Sequence, residues 1–184
     1  MKKLLTFLKL VILVQQSFSA FMKNKYVAEV EAFQTCPDHP KPVNPITNIK
    51  FVAHNRTHKT LGYDITYNRA LDEKVGGAVT VERWGDGGWI SIPFIGFQKN
   101  ICKYMSRHLK SFWVEYYEHM GVEHPERCPI PKGNYSLRNY IFSATEMNLP
   151  FWSGRFKFTT KYEDVDTKEV IFCCVQTVKV TEIY

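Results

Sequence analysis

The sequence predicts a mainly all-β fold, an antiparallel β-sandwich or cup, with one amphipathic helix. Three observations lead there. Apolar residues alternate with polar ones over many short runs, turn formers separate those runs, and a single stretch repeats every three or four residues instead.

The chain opens with Lys2 and Lys3 ahead of an apolar run over residues 4–14 that is broken only by Thr6 and Lys9, and Ser17 and Ser19 are spaced as small residues before a cleavage site. This is the pattern of a secretory signal peptide, with cleavage expected after about Ser19. A membrane anchor needs roughly 20 predominantly apolar residues, and Lys9 interrupts this run early. Residues 20–184 have the size of a single domain with its own core. Loss of Lys2, Lys3 and Lys9 lowers the formal charge from +6 to +3, too mild and too scattered to point to nucleic acid.

Leu61, Tyr63, Ile65 and Tyr67 alternate with Thr60, Gly62, Asp64 and Thr66, and Phe156, Phe158 and Tyr162 alternate with Arg155, Lys157, Thr159 and Lys161. Each run reads as a strand with one wet face. Weaker versions occur at 28–33, 49–53, 79–84, 89–92, 135–142 and 170–180, giving about eight strands separated by formers such as Gly76-Gly77, Gly85-Asp86-Gly87-Gly88 and Lys132-Gly133. Many short strands at this spacing favour antiparallel layers over a parallel sheet. Over 100–118 the period changes: Ile101, Met105, Leu109, Phe112 and Tyr116 form the apolar stripe of a helix that Gly121 and Pro125 should stop.

Five cysteines, Cys36, Cys102, Cys128, Cys173 and Cys174, would enter an oxidising compartment, where pairing is the expectation. An odd number leaves one thiol free or bound to another chain, and spacing alone does not assign the bonds. Asn55 and Asn134 begin Asn-x-Ser/Thr sequons compatible with glycosylation of a secreted surface.

Catalytic and metal readings find little support in the residues. Cys128 has His119 and His124 nearby, but Pro129 directly after it suits a crosslinked turn better than a nucleophile, and the spacing matches no common zinc pattern. His54 and His58 flank a sequon rather than a helical turn, and Glu163, Asp164 and Asp166 read as a solvated charged turn. No phosphate loop, dinucleotide fingerprint or nucleophile elbow is present, so neither an enzyme nor a cofactor is expected.

Two proline-containing stretches, Ile92-Pro93-Phe94-Ile95-Gly96-Phe97 and Asn148-Leu149-Pro150-Phe151-Trp152, place aromatic residues where connections are usually polar. They either cap a core or form the rim of an apolar cavity. Phe94, Ile95, Phe97, Phe151 and Trp152 are the rim candidates, and Phe112 and Trp113 on the helix are candidate lining.

The ordered set Gly88-Trp89-Ile90-Ser91-Ile92-Pro93, Cys102, Cys128-Pro129-Ile130-Pro131-Lys132-Gly133-Asn134-Tyr135-Ser136-Leu137, Leu149-Pro150-Phe151-Trp152 and Cys174 resembles the ganglioside GM2 activator-like members of the ML lipid-recognition superfamily, above all secreted arthropod proteins of chemosensory type. The resemblance runs from about residue 28 to the C-terminus. It implies an eight-stranded antiparallel cup whose apolar interior holds acyl chains, a Cys102–Cys128 bridge, and a bridge from Cys36 to a cysteine near the C-terminus. Counting from Tyr184 favours Cys174, and strand parity agrees, since Cys174 shares a face with Val170, Phe172, Val178 and Val180; Cys173 would be the odd thiol. The chain departs from the family pattern at Phe94 and along the cysteine-free 103–127 stretch, so a differently shaped rim is expected. The implied role is a secreted carrier of a lipid or hydrophobic small molecule, with transient membrane contact and a receptor or enzyme as further partners. A closed-cavity interaction module on the same scaffold is the alternative.

Overall fold

The computed structural model describes residues 25–37, 41–53, 59–141 and 153–183. Each alternating run becomes a strand: β1 (Lys25–Thr35), β2 (Ile46–Ala53), β3 (Lys59–Tyr67), β4 (Val75–Gly85), β5 (Gly88–Gln98), β6 (Gly133–Tyr140), β7 (Gly154–Asp164) and β8 (Val170–Ile183). All pairings are antiparallel, in a five-stranded sheet of order β1-β8-β7-β4-β5 and a three-stranded sheet of order β2-β3-β6. The eight-stranded sandwich expected from the sequence is therefore present.

The alternation works as period two requires. On β3, Leu61, Tyr63, Ile65 and Tyr67 are buried; on β7, Phe156, Phe158 and Tyr162 are buried; all join one core between the sheets. β5 runs well past the expected end at Ile92. Pro93, read above as part of a connection, lies inside it, and the sheet tolerates a residue without an N–H there because β5 is an edge strand.

The helical stretch is two helices rather than one, α1 (Ile101–His108) and α2 (Lys110–His119), with Leu109 leaving helical backbone between them at φ −127° and ψ 43°. Asn100 caps α1 by accepting the Lys103 backbone N–H at 2.9 Å. Gly121, at φ +81°, ends α2 in the left-handed conformation that glycine adopts without strain.

Cys102 and Cys128 form the expected bridge, Cα atoms 6.0 Å apart, which ties α1 to the segment leading into β6. The second bridge corrects the sequence reading: Cys36 pairs with Cys173, not Cys174, and the Cα atoms are 5.4 Å apart. Register supplies the reason. Thr35 lies opposite Cys174, so the next residue along β1 lies opposite Cys173, with Cys36 N–H donating to the Cys173 carbonyl at 3.3 Å. Side chains directly opposed across an antiparallel pair share a face. Cys36, Val170 and Cys173 cluster on the outer side, and Cys174 points inward. Val170 thus sits with the bridge and not, as parity implied, with Cys174; the β7–β8 register shifts between Tyr162 and Glu163, next to it.

Asp164 also departs from the solvated turn expected for it. It is 6% exposed and accepts the backbone N–H groups of Asp166 at 2.9 Å and Thr167 at 2.8 Å, with Arg69 as ion-pair partner. Those bonds fold the β7–β8 turn back on itself and hold the Asp164 carboxyl at about 2, chiefly through the Thr167 N–H and then Arg69.

Candidate functional site: an apolar cavity under the helical pair

The three-stranded sheet is narrower than the five-stranded one, and α1 and α2 cover part of what it leaves bare. Tyrosines fasten this cover. Tyr116 on α2 meets the hydroxyl of Tyr63 on β3, and Tyr117 meets that of Tyr67 at 3.3 Å. Trp113, 1% exposed, donates its indole N–H to the Pro125 carbonyl at 3.1 Å and packs on Tyr117 with ring centroids 4.5 Å apart. Pairing satisfies the buried hydroxyls, which would otherwise cost about 1–3 kcal/mol each. Burial pushes Tyr67, Tyr116 and Tyr117 up, so these rings stay neutral.

Close approach of α1 to the sheet depends on Gly77 of β4. A Cβ there would stand 2.6 Å from the Tyr162 ring, 2.9 Å from the Lys161 carbonyl and 3.1 Å from Ile101. Only hydrogen fits.

Between cover and sheet lies an apolar cavity of about 80 Å³. Met105, Leu109, Phe112, Trp113 and Tyr116 face it from the helices, and Phe158, Thr160, Phe172, Cys174 and Gln176 from β7 and β8. A single water needs roughly 10–15 Å³ and drug-sized ligands about 300–1,000 Å³. The space thus admits a slim apolar group as it stands, and anything larger requires Leu109 or Phe112, both only partly buried, to shift.

Of the residues singled out from the sequence, Phe94, Ile95, Phe112 and Trp113 come together on this cavity. Phe94 meets Phe158 edge-on at 6.3 Å. Phe97 does not join them. It packs over Gly76 on the outer side of the sheet, under the Lys168 ammonium at 5.5 Å, because the β4–β5 register shifts between Gly77 and Val79 and the extra residue on β5 breaks the alternation that would have put Phe97 on the face of Ile95. Phe151, Trp152 and Asn55 lie outside the described residues. Asn134 is exposed at the start of β6, its carbonyl accepting from the Thr66 hydroxyl at 2.7 Å.

The rest of the lining was not singled out as such, including its polar, non-aromatic members Thr160, Cys174 and Gln176. Inward residues of β8 read Phe172, Cys174, Gln176, Val178, Val180, so a single amide interrupts an apolar face. That interruption was visible in the sequence. Cys174 is the one free cysteine, and burial raises its thiol to about 12 against the opposing hydrogen bonds of Thr160. At neutral pH it is a small, inert neighbour for a ligand rather than a nucleophile.

Among the described residues no group of three or more His, Cys, Asp or Glu is placed to hold a metal ion, and no helix is long and apolar enough to cross a membrane. His119 turns its ring nitrogen to the Glu115 carbonyl at 2.8 Å, and His124 lies 3.4 Å from Glu126.

Residues 80–158 match a family model described as a protein of unknown function (DUF1091). Among solved structures, the chain is similar to that of a Niemann-Pick type C2 protein from the Japanese carpenter ant, at 11% identity and a TM-score of 0.28, over 85% of this chain and 93% of that one. No curated protein matches.

Proposed function

We propose that this protein is a non-enzymatic carrier of a lipid or other hydrophobic small molecule, held in the cavity between the five-stranded sheet and α1–α2. The observation that carries this reading is the cavity itself: a void lined by aromatic and aliphatic side chains, beneath a cover fastened by a disulfide and paired tyrosines. Burying an alkyl chain there gains about 0.8 kcal/mol per methylene without any directional contact. Crosslinking supports the role because a cup with unfilled interior gives up part of its core. The lysine-led apolar start and the sequons at Asn55 and Asn134 extend the proposal to a secreted protein cleaved after about Ser19. The sequence resemblance extends it further, to extracellular carriage of a lipid-like semiochemical with a receptor as downstream partner.

The test is direct. Protein purified from a secreting host is extracted with organic solvent and the extract weighed by mass spectrometry; a hydrophobic compound at near one per chain is expected. An extract without one, together with no uptake of a fluorescent apolar probe, overturns the carrier and supports the interaction module instead.

A further inference from the structure

We infer that the cavity selects an uncharged ligand bearing one hydrogen-bonding group, such as an alcohol, ester or carbonyl on an alkyl chain, and that Gln176 is the residue that reads that group. This rests on the carrier reading above and narrows it. Two observations carry it.

The first is the lining. Among the described residues it contains aromatic and aliphatic side chains, neutral tyrosines, Thr160, Cys174 and Gln176, and no Lys, Arg, His, Asp or Glu. An ionised carboxylate or phosphate drawn inside would lose its water and find no countercharge, which is heavily unfavourable in a low-dielectric interior. An acyl chain ending in a carboxylate could enter only with its head left outside.

The second is Gln176 itself. It sits on β8, an interior strand of the sheet, directly between Phe33 on β1 and Phe158 on β7. Thr160 is occupied with Cys174, and the cover tyrosines Tyr116 and Tyr117 with their partners on β3. Gln176 lines the cavity and is only partly buried, its amide not among the buried side-chain polar atoms left without a partner. A primary amide offers two donors and an acceptor. On this largely apolar floor it is partly open to water, and a ligand that displaces that water must put a neutral polar group in its place or leave the amide with an unmet polar cost that Leu or Met would not carry. A ligand hydroxyl or carbonyl supplies that group.

The experiment uses the full secreted chain and displacement of the neutral fluorophore N-phenyl-1-naphthylamine at pH 8 by decane, 1-decanol and decanoate. Decanol is expected to act at about ten-fold lower concentration than decane, the size of one well-made hydrogen bond, and decanoate to be weaker than both. In Gln176→Leu the preference of decanol over decane should vanish; Gln176→Met serves if the first variant fails to fold. Decanoate matching decanol, or an unchanged preference in a folded variant, overturns this inference while displacement by decane leaves the carrier standing. Absence of probe binding removes both.

Discussion

The two faces of β8 do opposite work with adjacent, chemically identical side chains. Outward, Cys173 is spent on a covalent tie to β1; inward, Cys174 stays a thiol beside Gln176 and borders open space. The contrast teaches that crosslinking and cavity are separated by a single residue of register. Lacing the outer face leaves the inner one unfilled without letting the strands drift apart. Sheet and cover meet closely where tyrosines pair, and loosely where Phe94, Leu109 and Phe112 form the front.

Removing the outer tie should have the largest effect. Cys36→Ala with Cys173→Ala should cost about 2–5 kcal/mol, read as a fall in the urea midpoint of the oxidised protein, whereas Cys174→Ala should cost about 1 kcal/mol. Equal losses would show that the bridge is not confined to the outer face. Next is the packing that brings α1 onto the sheet: Gly77→Ala should cost about 1–3 kcal/mol by urea unfolding, and a neutral result would mean that Tyr162 and the Lys161 carbonyl give way easily.

Filling the inner face comes third. Cys174→Phe should abolish uptake of the fluorophore while the Cys36–Cys173 bridge still forms, checked by non-reducing peptide mapping; retained uptake would place the ligand elsewhere. The smallest effect concerns the turn that sets the start of β8. The Asp164 carboxyl is held at about 2, below its ordinary 3.8, so its contribution is complete above pH 4 and is lost as pH falls through 2. Wild type should therefore lose stability between pH 4 and 2 more steeply than Asp164→Asn, which lacks the ionised group throughout; parallel acid limbs would remove Asp164 from that role. Asp64, also held at about 2 by Ser136, Asn48 and Arg138, adds to the acid limb of both proteins.

Strands with one wet face were legible because burial imposes period two on the residues themselves, as on β3 and β7. The start of the helical region was legible from its stripe, with Asn100 ahead of it. The partner of Cys36 was not. Parity tells which residues share a face, but not which face a bridge occupies, and the pairing register that decides this is a long-range property that a shift such as that between Val30 and Ala32 resets. Similarly, Phe94 and Ile95 could be flagged as apolar residues out of place, yet Phe97 could not be separated from them without knowing the β4–β5 register shift that turns it to the outer side. Gln176 was legible in principle. An amide amid Phe172, Cys174, Val178 and Val180 is a local conflict with the pattern, and such conflicts gather at sites with a task.

The Cys36–Cys173 bond joins residues 137 positions apart, closing β2 to β7 and both helices into a covalent ring that leaves β1 and most of β8 outside. Tension applied at the two ends of the chain would be carried across that sulfur link, so only the tails beyond it, which carry β1 and most of β8, could be drawn out. Under pulling in an optical trap, oxidised molecules should extend by those tails alone, and the full contour should appear after a reductant is added.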